Sequence, residues 1–146
     1  MIRLARPADV ATVTTIVHDA YSIYLARNGK IPGPMRDDYA RLIEAERVHV
    51  LEDQGEIMGL VVLVPEPQAM LLDNVAVSPS AQRRGFGVKL IAFAEQSARA
   101  AGFAVIRLYT QDIMTENLAL YSRLGFIETH RGEEAGLNRI YMSKTL

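Results

Sequence analysis

Apolar residues recur along this 146-residue chain with two periods, and each change of period marks a new element. Ile2 to Arg6 reads as a short opening strand, and Pro7 suits the first turn of a following helix. Val10, Val13, Val17, Ala20, Tyr21 and Tyr24 then mark one helical face. The run Asn28-Gly29-Lys30-Ile31-Pro32-Gly33-Pro34 breaks that pattern and is the longest irregular piece. Helical spacing returns over Met35 to Glu46 through Tyr39, Leu42 and Ile43. Val48 to Glu52 and Ile57 to Val64 predict a hairpin that turns at Asp53-Gln54-Gly55-Glu56. Pro65-Glu66-Pro67 leads into a strand from Met70 to Val77, which Pro79 closes because proline donates no ladder hydrogen bond.

The second half is read the same way. Leu90, Ile91, Ala94, Ala98 and Ala101 predict a helix from Val88 to Ala101, with Gly102 as its stop. Ala104 to Thr110 alternates as a strand should. Thr115 is placed to cap a short helix that carries Tyr121 and that Gly125 terminates. Phe126 to Thr129 and Leu137 to Met142 end the chain as strands around Gly132-Glu133-Glu134-Ala135-Gly136. The order is strand, two helices, three strands, helix, strand, helix, two strands. That order predicts an α/β domain with a mixed sheet, and with no repeat, low-complexity tract or linker it predicts one domain over residues 1–146.

Composition narrows the classes. Hydrophobic residues make up 49% and charged residues 23%, the balance of a folded globular chain. No apolar run approaches the ~20 residues of a membrane-spanning helix. The opening residues show no long apolar region behind a basic one, so no signal peptide is expected. There is no cysteine, which excludes disulfides and thiolate metal sites and fits a cytoplasmic chain. A net charge of −1 offers nothing electrostatic to nucleic acid or an anionic membrane. His18, His49 and His130 show no metal-ligand spacing, so no metal is expected.

Two segments carry candidate chemistry. The first is Gln82-Arg83-Arg84-Gly85-Phe86-Gly87, between the Met70–Val77 strand and the helix that follows. Gly85 and Gly87 let a ligand approach the backbone where a helix presents unpaired N–H groups, a geometry suited to phosphate or diphosphate. Two glycines at a helix start also serve simply to make a bend, and neither standard phosphate-loop pattern is present. The second segment runs from Asn117 to Phe126, where Asn117 and Tyr121 are four apart and share one helical face.

Together these segments resemble the GNAT superfamily of N-acetyltransferases. The first is similar to its acetyl-coenzyme A signature: Gln or Arg, two further residues, Gly, one residue, then Gly or Ala. It follows a Val75-Ala76-Val77 strand end and Pro79, as in the family. The second is similar to the later family motif of an asparagine, a tyrosine four residues on and a terminal Gly-Phe. The resemblance implies the GNAT fold, a mixed sheet of about seven strands flanked by about four helices. It also implies acetyl transfer from acetyl-coenzyme A to an amine in a ternary complex, without metal. Main-chain groups of Val75, Ala76 and Val77 would pair with the pantetheine arm, and the amides from Arg83 to Val88 would hold the diphosphate. Asn117 would contact the coenzyme, and Tyr121 would stand near the sulfur as general acid.

A base is harder to identify. A lysine-like amine of pKa about 10.4 costs ~4.6 kcal/mol to deprotonate at pH 7, whereas an α-amino group near 7.8 costs about 1 kcal/mol. Asp73 is the carboxylate on the motif strand, acting directly or through a water; the alternative is an ordinary strand-edge carboxylate. By the family's architecture, Tyr21, Tyr24, Met35 and Tyr39 would line the acceptor cleft, and Asp37 and Asp38 would attract a cationic amine. The alternative is that these aromatics pack two helices together and the two aspartates are a solvated helix start. The acceptor expected is a small-molecule amine; a protein N-terminus, a lysine, or a non-catalytic acetyl-coenzyme A sensor are the competing readings. A homodimer is common among relatives, but no interface pattern stands out here.

Overall fold

Alternating burial along the central strands divides the apolar side chains between two cores, one on each face of a seven-stranded sheet. The computed structural model describes residues 1–146. In β2 (Val48–Asp53), Val48 and Val50 enter the first core and Leu51 the second. In β3 (Glu56–Pro65), Leu60 and Val62 face the first core, and Val61 and Leu63 face the second. The continuous run Leu60–Leu63 is thus a strand buried on both sides. The hairpin between them turns at Gln54 and Gly55, both with positive φ (52° and 80°), the tight turn that matches strand twist.

The remaining strands are β1 (Ile2–Leu4), β4 (Met70–Val77), β5 (Val105–Gln111), β6 (Ile127–Glu134) and β7 (Leu137–Thr145), in the order β1-β2-β3-β4-β5-β7-β6. Every neighbouring pair is antiparallel except β4 and β5. Helices α1 (Val10–Asn28) and α2 (Tyr39–Glu44) cover the first face with Val13, Val17, Tyr21 and Ile43. Helix α3 (Phe86–Ala100) covers the second with Leu90, Ile91, Ala94 and Ala98. Helix α4 (Thr115–Arg123) belongs to both: Met114 at its start lies in the first core and Tyr121 in the second. No helix is long and apolar enough to cross a membrane.

The sheet opens at its middle. β4 and β5 pair only at Met70–Ile106 and Leu71–Arg107, although both strands continue well past those residues. Just beyond, β4 carries a bulge: Leu72 pairs with Leu63 and Asn74 with Val62, so Asp73 has no partner on β3. A bulge bends the strand and re-aims the side chains that follow it. Leu72 therefore faces the α3 core while Asn74 and Ala76 face the α1 side, the reverse of simple alternation. The strand parts from β5 beyond Leu71, and Asn117 and Tyr121 of α4 line the space that opens beside it.

Several element limits differ from the sequence expectations, each for a local reason. The second helix is much shorter than Met35–Glu46. Gly33–Arg36 forms a separate tight turn, Asp37 is extended, and the Asp38 carboxylate caps α2 by accepting from the Arg41 N–H at 3.2 Å. Helix α3 begins two residues before Val88, because Gly85 takes a left-handed φ of 81° and caps it. Thr115 is inside α4 rather than its cap; its hydroxyl donates to Glu116. β6 is twice as long as Phe126–Thr129, because its polar residues form an exposed edge hairpin with β7.

Candidate active site

Two cavities that share lining residues lie along β4 where it parts from β5. The wider, about 360 Å³, is walled by Val75–Val77 of β4, the start of α3, and the facing sides of α1 and α4. The narrower, about 150 Å³, lies toward the β5 side, among Asp73, Asn74, Tyr109, Arg139, Pro34 and Asp37. Tyr21, Asn117 and Tyr121 line both.

The wider cavity presents an unusual density of free main-chain donors. Within α3 the first bond of the helix is Lys89 N–H to Gly85 O at 3.1 Å, and no backbone hydrogen bond of ordinary geometry engages the amides from Gly85 through Val88. A left-handed Gly85 followed by helical residues arranges successive N–H groups around a concavity, and the helix dipole adds positive potential there. A Cβ built on Gly85 would meet nothing within 4 Å, and one on Gly87 would only graze Leu120 at 3.9 Å and Val77 at 4.0 Å. The space above both glycines is therefore open to a ligand. Arg83 itself has φ 67°, a conformation that L-residues seldom adopt and that marks a constrained turn.

The edge of β4 is a second set of donors. Ser78 N–H bonds to Met58 O at 2.8 Å, and the register then makes Ala76–Leu60 and Asn74–Val62 the hydrogen-bonded pairs. The main-chain groups of Val75 and Val77 consequently turn the other way, toward the gap. Two side chains reach their carbonyls: Tyr21 donates to Val75 O at 3.3 Å and the Gln82 amide to Val77 O at 3.4 Å. These amides, the open glycines and the apolar wall suit a long thioester coenzyme with a diphosphate, and its binding would need no metal.

Burial sets the acid–base character of the narrower cavity. The Tyr121 side chain is 8% exposed and its hydroxyl has no hydrogen-bond partner. Burial pushes its phenol well above the ordinary range. Asp73 is raised by burial, opposed by a hydrogen bond from the Tyr109 hydroxyl at 3.0 Å and by the charge of Arg139. Asp37 stands at the exposed rim without an ion-pair or hydrogen-bond partner; lost solvation and then Asp73 push its carboxyl up to about 6. Arg139 is committed elsewhere, 3.1 Å from Glu134 and stacked 4.1 Å over the Tyr109 ring. Behind this wall a buried chain runs from Tyr21 to Asn74 (2.6 Å), from Asn74 to Tyr39 (3.1 Å) and from Tyr39 to Pro34 O (2.6 Å).

Of the four residues expected around the acceptor, only Tyr21 lies in the narrower cavity. Tyr24 lines the wider one instead, because it sits one turn further along α1, over the β4 edge. Met35 and Tyr39 line neither: Tyr39 is 3% exposed within the buried chain, and Met35 packs against the same core. The Arg84 side chain turns from the donor loop to Asp53 at 2.7 Å and the Phe86 ring at 4.6 Å, leaving only its amide there. Val75, Ala76, Val77, Gln82, Arg83, Gly85, Phe86, Gly87, Val88, Asn117 and Tyr121 all line the wider cavity. Asp37 lines the narrower cavity and Asp38 does not. Tyr109, Asn74 and Arg139 went unrecognised in the sequence. Asn74 had a signal, a second polar residue inside an otherwise apolar strand; the other two sit at ordinary strand positions.

Comparison with known proteins gives this arrangement a family. The sequence profile of the acetyltransferase (GNAT) family matches residues 14–126. An uncharacterised N-acetyltransferase, YvbK, from Bacillus subtilis is 30% identical over 94 residues, 64% of this chain and 61% of that protein. A probable N-acetyltransferase 14 from Xenopus tropicalis is 34% identical over 76 residues, 51% of this chain and 37% of that one. The chain thus spans less than two thirds of the length of these curated relatives. Among solved structures, the PaiA N-acetyltransferase of Thermoplasma acidophilum, in complex with coenzyme A, superposes with a TM-score of 0.84 at 15% identity, over 100% of this chain and 98% of that one. The ribosomal-protein-alanine N-acetyltransferase of Brucella melitensis superposes with a TM-score of 0.78 at 25% identity, over 100% and 99%.

Proposed function

Because this chain belongs to the acetyltransferase (GNAT) family, we propose that it moves the acetyl group of acetyl-coenzyme A to a small primary amine by direct attack in a ternary complex. The observation that carries this reading is the meeting of a donor-lined cavity and an acidic one at the largely buried Tyr121 side chain, whose hydroxyl is unpartnered.

The coenzyme arm adds to the open edge of β4, and the diphosphate lies on the amides from Arg83 to Val88. An N–H of Val75 or Val77 in reach of the thioester oxygen stabilises the charge that develops there. The acceptor ammonium gives one proton to Asp73, directly or through a water. Its nitrogen then attacks the thioester carbon, the carbon–sulfur bond breaks, and the electron pair leaves on sulfur. Tyr121 protonates that sulfur and recovers a proton as the new amide nitrogen sheds its own. Burial raises the phenol, but the departing thiol stands in the same apolar surroundings and rises with it. The ordinary gap between about 8.5 and about 10 is therefore largely preserved.

A small acceptor is supported by the size of the narrower cavity, about 150 Å³, and by a tie between the two segments that supply Pro34 and Leu137 to its lining. Lys30 Nζ donates to Gly136 O at 2.5 Å, tying the segment before Gly33 and Pro34 to the turn before Leu137. The likeness to the ribosomal-protein-alanine N-acetyltransferase favours a second reading, acetylation of a protein N-terminus. Thiol release from acetyl-coenzyme A across small amines and short peptides separates them. Turnover on small amines alone is expected. Turnover confined to peptides would establish the second reading, and coenzyme binding without turnover on either would leave a sensor module.

A further inference from the structure

Two carboxylates face the narrower cavity at different depths, and the charge of Arg139 acts on the inner one, Asp73, leaving Asp37 without a cationic partner. Asp73 is on the bulge of β4, partly buried, with the Tyr109 hydroxyl as its one hydrogen-bond partner. Asp37 is at the rim with no partner at all, and the negative field of Asp73 reaches it. Arg139 is the one cationic side chain of the lining, and Glu134 and the Tyr109 ring already engage it. Beyond these, the lining offers only neutral groups such as Thr110, Gln111 and Asn117. That the cavity receives a ligand rests on an independent observation: the Tyr121 side chain, more than nine-tenths buried, lines both cavities, and its hydroxyl has no partner in the protein.

Resting on the reading above, we propose that the acceptor is a diamine: one amino group reacts beside Asp73 and Tyr121, and a second, protonated one is held by Asp37. A monoamine leaves Asp37 unpaired, and an amino acid brings its own carboxylate toward two others. A second ammonium offsets the like-charge repulsion between the two aspartates. Asp37 is thus a specificity-determining residue with no part in the bond-making step.

The test compares kcat/KM for diaminobutane and for butylamine in the wild-type protein and in Asp37→Asn and Asp37→Glu. The wild-type protein is expected to prefer the diamine by about tenfold, the effect of one partly solvated ion pair with charge-assisted hydrogen bonds. Asp37→Asn should bring that ratio close to one, chiefly through KM, and Asp37→Glu should restore most of it. Butylamine used as well as diaminobutane, or a ratio that survives in Asp37→Asn, would overturn the inference alone. Turnover of neither amine by a protein that still binds acetyl-coenzyme A would overturn the reading beneath it as well.

Discussion

The Tyr109 hydroxyl donates a 3.0 Å hydrogen bond to the Asp73 carboxylate across the gap where β4 and β5 have ceased to pair. Both residues lie two positions past the last paired residues, Leu71 and Arg107, so a side-chain bond continues a junction that the backbone has abandoned. This bond holds the Asp73 carboxyl down against the burial that raises it. A base acts in its ionised form, so activity should rise with pH through the raised Asp73 value. Tyr109→Phe removes a bond worth about 1 kcal/mol and should move the acidic limb of kcat/KM upward by ~0.5–1 pH unit. Asp73→Asn should abolish that limb and lower kcat by roughly 10²-fold or more. A limb unchanged in both variants would remove Asp73 from the chemistry.

Tyr121→Phe keeps the ring that packs on Phe126 at 5.9 Å and removes only the unpaired hydroxyl. Turnover should fall by about 10²-fold, the scale of a lost general acid. Affinity for coenzyme A, measured separately by calorimetry, should stay within about twofold. Leu120 and Asn117 leave the wall of the wider cavity otherwise intact.

Gly59→Ala tests the wall from behind. A Cβ there would stand 2.8 Å from Ala76 O and 3.1 Å from Leu90 Cδ1, and the first of these is backbone that cannot rotate aside. A loss of about 1–3 kcal/mol by urea unfolding is expected, with weaker coenzyme binding because β4 must move. Unchanged stability would mean that β3 and β4 yield more freely than their register implies.

How much of this was readable beforehand depended on the kind of interaction. Periodic burial revealed the strands and helices, since Val48 to Val64 and Leu90 to Ala98 must hide apolar surface whatever else the chain does. The donor loop was legible because Gly85 and Gly87 are local backbone requirements. The bulge at Asp73 was not, because one strand bulges only relative to another, and the apolar runs of β3 and β4 do not reveal their register. Tyr109 and Arg139 looked ordinary because their partners lie on other strands, and Tyr24 lines the wider cavity rather than the narrower because one helical turn along α1 decides which it meets. β6 was cut short because a polar edge strand carries almost no hydrophobic signal.

His49 supplies a stability prediction unrelated to activity. Its Nδ1 is buried without a partner, and its ring lies 4.8 Å from Phe93. Burial lowers its pKa in the folded protein, so the unfolded chain binds a proton that the folded one refuses. Stability from this site is complete above the ordinary value of about 6.5 and declines as pH falls below it toward the depressed folded value. His49→Leu should therefore flatten the fall in urea-unfolding free energy between about pH 8 and about pH 5. An equal slope in both proteins would place the acid sensitivity elsewhere.

The account depends most on the amides from Arg83 to Val88 receiving a diphosphate. Isothermal titration with coenzyme A, and with pantetheine as a ligand that lacks the diphosphate, addresses that dependence directly. One saturable site for coenzyme A, at least about 10²-fold tighter than for pantetheine and weakened by Gly85→Val, is the predicted result. Equal affinity for the two ligands, or no heat from coenzyme A at millimolar concentration, would contradict it.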